Sequence, residues 1–247
     1  MLALLRANGL EAKSKLGQNF LIDLNLMDIV IRSADLGVRL ILSDILRTKN
    51  ELNRVVTDAW VEAAKAAGAT RLKLVANLPY AVAVPVMANL LVTGPVPALQ
   101  VGMVQWEIAE RLAAKPGEDA FGSISVLAQS VAKVSIVRKI PPKAFFPAPK
   151  VDSAIVRLES DAAARAALEA RLAKPEGPKP MERWRNFLRD LYCHRRKNVR
   201  GALASLPGQV LSKPEIDARL AAAGIDGNRR AETMGIEEHL RLCEVFG

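Results

Sequence analysis

Four consecutive residues, Asn77-Leu78-Pro79-Tyr80, have the types and spacing to hold a flat heterocycle that carries an amino group. The side-chain oxygen of Asn77 and the carbonyl oxygen of Leu78 can accept both hydrogens of such an amine, and the following proline fixes that carbonyl. Tyr80 offers an aromatic face for stacking, as in enzymes that act on a base taken out of its stack. The alternative is a structural turn, in which Asn77 is the turn former and Tyr80 a core residue.

The segment before these residues predicts a buried strand. Residues 72–76 form a short apolar run rich in Leu and Val that stops at Asn77, and Pro79 prevents the ladder from continuing. Ligands of open α/β sheets bind beyond the carboxyl ends of the strands, so the four residues lie where a ligand is expected. Residues 39–43 predict a second strand, which places Asp44 at another carboxyl end.

Strand and helix patterns alternate through the first part of the chain, which predicts an α/β domain over residues 1–159. Further strands are expected at 98–105, 133–140 and 154–158, and helices at 58–67, 81–91, 107–115 and 123–129. After a Pro- and Gly-rich linker at 175–180 every pattern is helical, so residues 160–247 are expected to form a small all-α domain. The uncharged stretch 74–106 is broken by prolines into strand, helix and strand, and no membrane span is expected.

Charge indicates a polyanionic partner. The net charge is +9 and the pI about 9.8, a balance typical of nucleic-acid-binding proteins. Residues 183–200 carry seven basic side chains against one acid, with Trp184 and Tyr192 between them. A solvated basic face is the alternative, but this pattern favours contact with an RNA backbone. The seven predicted RNA-binding residues are Arg183, Arg185, Arg189, Arg195, Arg196, Lys197 and Arg200.

Cysteine and histidine patterns predict neither a metal site nor a disulfide. Cys193 and Cys243 lack metal-ligand spacing, and they indicate reduced thiols in a cytoplasmic protein. His194 and His239 have no nearby carboxylate or Cys pair, so both are expected to be structural.

Taken together, three motifs resemble the KsgA/Erm type of rRNA adenine N6-dimethyltransferases. The stretch from Lys15 to Leu21, K-L-G-Q-N-F-L, is similar to that family's N-terminal signature, and Asn77 to Tyr80 is similar to its N-L-P-Y catalytic motif. The proline-rich stretch from Phe145 to Ser153, F-F-P-A-P-K-V-D-S, is similar to its F-x-P-x-P-K-V-D-S loop. The order matches along nearly the whole chain, and the helical tail favours the KsgA branch, which acts on small-subunit rRNA.

The resemblance implies a Rossmann-like methyltransferase domain that uses S-adenosylmethionine, followed by a helical C-terminal domain. It implies dimethylation of two adjacent adenines near the 3′ end of small-subunit rRNA, by a cytoplasmic monomer acting on the immature small ribosomal subunit. In this reading Tyr80 and Phe145 clamp the flipped adenine. The implied catalytic residues are Asn77, Leu78, Pro79, Tyr80 and Phe145, and the implied cofactor-binding residues are Gln18, Asn19, Leu21, Asp44 and Asn77.

One block of the family pattern is missing beside Gly37. There the family places a first strand, a glycine-rich E-x-G-x-G-x-G turn, a helix and a second strand ending in an acid, roughly 40–50 residues in all. No G-x-G pattern occurs anywhere in the 247 residues. Either the protein has a block that this sequence omits, or the deletion is real and the chain is a catalytically inactive rRNA-binding or ribosome-assembly factor.

Overall fold

The computed structural model describes Phe20–Leu21 and residues 43–247. Its central feature is a four-stranded sheet in the order β4-β5-β8-β6. These strands span Lys73–Asn77 (β4), Leu99–Gln105 (β5), Ala132–Ile140 (β6) and Ser153–Ser160 (β8). Strands β4 and β5 are parallel, with Asn77 opposite Met103, so their carboxyl ends lie at the same edge of the sheet. The sheet has the strands that the sequence predicted after residue 72. The prediction that β4 is buried was wrong: its residues are half-buried or exposed, and within the described residues it pairs on one side only, with β5.

Helices follow the strands as an α/β pattern requires. They span Arg54–Ala66 (α1), Tyr80–Val92 (α2), Trp106–Ala113 (α3) and Ser123–Gln129 (α4). Helix α1 begins four residues earlier than predicted because Asn53 caps it, its side-chain oxygen accepting from the Val55 amide at 3.0 Å. The uncharged stretch 74–106 is divided among β4, α2 and β5, and no helix in the described part of the chain is long and apolar enough to span a bilayer.

Two short antiparallel pairs were not predicted. A hairpin joins Leu46–Thr48 (β2) to Glu51–Leu52 (β3). Phe20–Leu21 (β1) pairs with Phe145–Phe146 (β7), with Phe20 opposite Phe146 and Leu21 opposite Phe145. The second pair brings the N-terminal motif against the proline-rich loop, although the two are far apart in sequence.

The chain forms two compact units. The first contains the described residues up to Leu90 together with 97–109 and 135–158, and the second contains 91–96, 110–134 and 159–247. The predicted contiguous domains, 1–159 and 160–247, stay a prediction.

Two apolar clusters stabilise the first unit. Leu52, Val86 and Leu90 form the buried centre of one cluster, and half-buried side chains pack around them. These are Ile45, Leu46, Trp60, Leu74, Leu78 and Val82. The other cluster joins strands and loop through Met103, Ile140, Ala144, Phe145 and Ile155. Full burial of each large side chain contributes about 1.5–3 kcal/mol.

The second unit is mainly helical. After α4 its helices span Ala162–Leu172 (α5), Pro180–Cys193 (α6), Val199–Leu203 (α7), Lys213–Ala222 (α8) and Ile236–Phe246 (α9). Trp184 of α6 is fully buried, and its indole Nε1 donates to the Ser130 hydroxyl at 3.0 Å. A large apolar ring with its one polar atom satisfied is a suitable core anchor.

Candidate active site

Asn77 and Leu78 present two free acceptors at the carboxyl end of β4. The Asn77 side chain is exposed, and no hydrogen bond joins it or the Leu78 carbonyl to another described residue. The next carbonyl, that of Pro79, accepts from the Val82 and Ala83 amides at 3.0 and 3.1 Å, because it caps the first turn of α2. The Pro79 carbonyl thus caps α2, whereas the two predicted amine acceptors, the Asn77 side chain and the Leu78 carbonyl, have no partner among the described residues.

Tyr80 is held by the proline-rich loop. Its ring is half-buried at the start of α2, and its hydroxyl lies 2.7 Å from the Ser153 hydroxyl. Ser153 is fully buried and begins β8. Two motifs that are distant in sequence are therefore joined by one side-chain hydrogen bond, which fixes the direction of the Tyr80 ring.

The residue before Ser153 is braced from two further elements. The Asp152 carbonyl accepts from the Trp106 amide at 2.9 Å, and its carboxylate pairs with Lys139 at 2.9 Å. The Lys139 ammonium also lies 4.4 Å from the centre of the Trp106 ring. Both ionic contacts are partly exposed, so each contributes about 1 kcal/mol or less. Their main effect is to fix the loop position rather than to stabilise the fold.

The two phenylalanines of the loop have opposite surroundings. Phe145, the predicted clamp for the base, is 4% exposed and packs with Ile140 and Ile155, so the structure does not present its ring to a ligand. Phe146 is 40% exposed. Successive side chains of a strand point to opposite faces, and this alternation separates a core ring from a surface ring.

The predicted cofactor residues fall into two groups. Gln18 and Asn19 lie outside the described residues, as does most of the predicted strand 39–43, and of Leu21 only the backbone pairing is known. Asp44 is described: its carboxylate accepts from the Leu46 amide at 2.9 Å, and its carbonyl accepts from the Asn53 side chain at 3.0 Å.

This donor set fits S-adenosylmethionine only in part. Asp44, predicted to contact the adenine end, has carboxylate capacity beyond its bond to the Leu46 amide. The side chain of Asn77, predicted to lie at the transfer end, is exposed. The chain has no G-x-G turn to approach the amino-acid part of the cofactor. No described strand ends in a second acid that could hold the ribose hydroxyls.

Arg183 has a structural role instead of the predicted RNA contact. It is 6% exposed, and its guanidinium donates to the carbonyls of Leu172, Cys243 and Gly247 at 2.8, 2.9 and 3.0 Å. The two terminal nitrogens are held by these carbonyls, whereas the buried Nε has no partner among the described residues, and a guanidinium enclosed in this way is not available to phosphate.

The remaining predicted RNA-binding residues lie outside the core. Arg185 is half-buried and burial lowers its pKa, whereas Arg189 is exposed and its hydrogen bond to Asp190 raises its pKa. Helix α6 ends at Cys193, and the turn between α6 and α7 exposes three consecutive cations, Arg195, Arg196 and Lys197. In this basic turn Arg196 has no ion pair to any described residue, and the Lys197 ammonium donates to the Ser205 hydroxyl at 2.8 Å. Arg200, in α7, pairs with Asp217.

His239 is a buried structural group. Its Nδ1 lies 2.8 Å from the Gly235 carbonyl, which can only accept, so Nδ1 carries the proton and Nε2 accepts from the Tyr192 hydroxyl at 3.1 Å. The Tyr192 ring stacks on the imidazole at 5.7 Å between centroids. Burial lowers the pKa of His239 and raises that of Tyr192. Among the described residues, no group of three His, Cys, Asp or Glu could hold a metal ion.

Comparison with known proteins decides the family. The profile of the ribosomal RNA adenine dimethylases matches residues 35–246. The chain belongs to this family. The ribosomal RNA small subunit methyltransferase A of Phenylobacterium zucineum is 33% identical, over 98% of this chain and 90% of its own length. The ribosomal RNA small subunit methyltransferase A of Mesorhizobium japonicum is 32% identical, over 95% of this chain and 93% of its own length.

The dimethylase fold is supported separately by a solved structure. The crystal structure of a dimethyladenosine transferase from Plasmodium falciparum matches with a TM-score of 0.53 at 22% identity, over 67% of this chain and 64% of that one. The chain is thus an α/β protein of the Rossmann-like methyltransferase kind with a helical C-terminal part.

The relatives are longer than this chain within the aligned region. The alignment with the Phenylobacterium protein runs over 279 positions and this chain has 247 residues, so at least 32 aligned positions have no residue here. That number of positions is as large as a strand–helix–strand block, which needs about 30 residues or more.

Three site features were not predicted: the Tyr80–Ser153 bond, the brace on Asp152 and the burial of Arg183. The first two join side chains distant in sequence, and no local pattern indicates them. The third had a signal, because Arg183 lies four and eight residues before the buried Phe187 and Leu191, on the apolar stripe of α6.

Proposed function

We propose that this chain binds small-subunit rRNA and dimethylates the N6 amines of two adjacent adenines near its 3′ end, with S-adenosylmethionine as methyl donor, during maturation of the small ribosomal subunit. The observation that carries the proposal is the pair of free acceptors on Asn77 and Leu78, beside a Tyr80 ring fixed by Ser153. Family membership supports the reaction class.

The chain's own residues would act mainly by positioning. The nitrogen of an adenine amine is a poor nucleophile because its lone pair is shared with the ring. If Asn77 and Leu78 accept both of its hydrogens, the nitrogen becomes more pyramidal and its lone pair is directed out of the ring plane. Tyr80 would stack against the flipped base, and Pro79 would keep the Leu78 carbonyl in place.

S-adenosylmethionine, when bound, supplies a methyl group on a sulfonium centre. Asp44 would contact its adenine end and Asn77 would lie at the transfer end, with Gln18, Asn19 and Leu21 as further proposed contacts. Its binding has to proceed without a G-x-G turn in this chain.

A second candidate rests on that missing turn. A chain without the glycine turn and the ribose-binding acid would bind the rRNA through the same target-base residues and the basic turn but transfer no methyl group. It would then serve as an rRNA-binding assembly factor. The absence of a G-x-G turn from the 247 residues is the observation that favours this candidate.

Titration with S-adenosylmethionine separates the two candidates. Protein whose intact mass equals 26.8 kDa is titrated by calorimetry with the cofactor and, separately, with an RNA hairpin whose loop carries two adjacent adenines. Saturable binding of both ligands supports the dimethyltransferase. RNA binding without cofactor binding supports the assembly factor, and loss of both rejects the proposed function.

Asn77→Ala tests the assigned residue. It should lower methyl transfer by at least 100-fold, because an acceptor at the reacting amine is lost, while the Kd for the RNA hairpin changes less than about threefold. Asn186→Ala, in α6, is the matched control and should leave transfer unchanged. A parallel loss of RNA binding in Asn77→Ala would contradict the assignment.

A further inference from the structure

The loop between β6 and β8 has a surface that the target-base site does not use. This loop surface comprises Lys143, Phe146 and Lys150, all exposed. Phe146 is one of the few large apolar side chains exposed in the described part of the chain. Neither lysine forms an ion pair with a described residue, and the loop's one acid, Asp152, is paired with Lys139. The loop therefore carries uncompensated positive charge around an accessible ring.

The geometry of the strand keeps the Phe146 ring at the protein surface. Its neighbour Phe145 is buried in the apolar cluster, so turning the strand to bury Phe146 would expose Phe145. Four prolines at 141–149 stiffen the loop. An exposed ring on a stiff support loses little conformational entropy when a planar group stacks on it.

The loop surface is tied to the target-base site at one end. Ser153 follows it directly and bonds to Tyr80, and the brace of Trp106 and Lys139 fixes Asp152. We therefore expect a strand of RNA whose adenine is held by Asn77, Leu78 and Tyr80 to continue past this loop. Aromatic rings flanked by lysines are the usual platform for single-stranded nucleic acid.

We propose that the loop surface binds the nucleotide next to the target adenine, with Phe146 stacking on its base and Lys143 and Lys150 contacting the backbone phosphates. This inference rests on the proposed rRNA binding and adds a second base subsite to it. Its partner is a single-stranded RNA segment, recognised by base stacking and charge.

The test uses the RNA hairpin with 2-aminopurine, whose fluorescence falls on stacking, at the nucleotide next to the target. The target stays adenine, because 2-aminopurine lacks the N6 amine that Asn77 and Leu78 are proposed to hold. Phe146→Ala should raise the Kd about 5- to 100-fold, as expected for one lost base stack, and should abolish the fluorescence change. Phe146→Tyr should restore both, and Val55→Ala, which truncates an exposed valine of α1, is the control.

The lysines are tested by salt dependence. The double reversal Lys143→Glu and Lys150→Glu should reduce the slope of log K against log salt by about 0.7 for each lost phosphate contact, whereas Lys65→Glu on α1 should not. If wild-type protein binds the hairpin and Phe146→Ala binds it equally well with the fluorescence change intact, the inference is wrong. Failure of wild-type protein to bind the hairpin would instead reject the proposed function.

Discussion

At the scale of single residues, burial decides which side chains remain available to a ligand. Arg183 and Arg196 lie in the same basic segment, yet the first is inside the protein and the second is exposed. Likewise, Phe145 is buried and Phe146 is exposed. In each case the sequence supplied the residue type, and the phase of the helix or strand determined its side. Applying the helical period to 183, 187 and 191 would have assigned Arg183 to the core.

Arg183 and the basic turn should respond differently to substitution. Arg183→Leu removes the side-chain donor of the Leu172 carbonyl. The Cys243 and Gly247 carbonyls keep other donors, the Gly247 amide and the Lys174 ammonium. The substitution should therefore lower the free energy of unfolding by roughly 1–3 kcal/mol. The triple reversal of Arg195, Arg196 and Lys197 to Glu should change it by about 1 kcal/mol or less, because these side chains are exposed. Urea unfolding measures both effects.

RNA binding by the same variants gives the complementary result. The triple reversal should weaken binding to the RNA hairpin and flatten its salt dependence, by about 0.7–0.9 in slope for each lost contact. An unchanged slope would place the RNA-binding surface elsewhere in the chain, and a stable Arg183→Leu protein with weakened binding would restore Arg183 to the RNA-binding set.

His239 should make stability fall on acidification. Burial lowers its pKa in the folded state, so below about pH 6.5 the unfolded chain binds a proton that the folded chain does not. The contribution of the buried, neutral His239 to the free energy of unfolding is therefore fully present above pH 6.5. Below that pH it should decrease, by up to about 1.4 kcal/mol per pH unit. Glu237 and Glu238 also have lowered pKa values, but carboxylates lose their contribution only below about pH 4.5.

Urea titrations at pH 7.5, 6.5 and 5.5 measure this effect. His239→Gln should remove the decrease between pH 6.5 and 5.5, and His194→Gln, at the other histidine of the chain, should keep it. Equal pH profiles for wild type and His239→Gln would show that another group is responsible.

At the scale of elements, long apolar strands and helices were predictable and short pairings were not. The buried runs of β5 and β8 give a strong local signal, whereas β6 has only its two end residues buried. The β2–β3 hairpin turns at Lys49-Asn50, which lacks the Asn-Gly or Asp-Gly signal of a tight hairpin. Strands β1 and β7 have two residues each and depend on partners distant in sequence, so pairing rather than propensity creates them.

The hydrogen bond between α2 and β8 can be measured as a coupling. Ser153→Ala and Tyr80→Phe each remove one hydroxyl of the Tyr80–Ser153 pair, and the double variant should be no less stable than the worse single variant. The expected coupling is about 1 kcal/mol. Ser153→Thr keeps a hydroxyl and should retain most of it, whereas strictly additive losses would exclude a direct bond.

At the scale of the whole molecule, β4 is the strand whose surroundings the sequence predicted least well. Within the described residues β4 pairs only with β5, and the cluster near it contains many half-buried side chains, among them Trp60, Leu74 and Leu78. The family resemblance predicts a further, central strand that this sequence lacks, and we expect such a strand to add buried apolar contacts to the sheet. Burial depends on such neighbours, which the local sequence of β4 does not contain.

The tryptophans give the protein built-in optical reporters. Trp60 and Trp106 belong to the first unit and Trp184 to the second. Trp184 is sealed in its core, whereas Trp106 has a lysine ammonium 4.4 Å from its ring, which attracts a negative quencher such as iodide. Iodide should therefore quench the fluorescence of Trp106 in the native protein, and that of Trp184 only after the helical unit unfolds. Quenching followed through a denaturant titration would report which unit melts first, without any added dye.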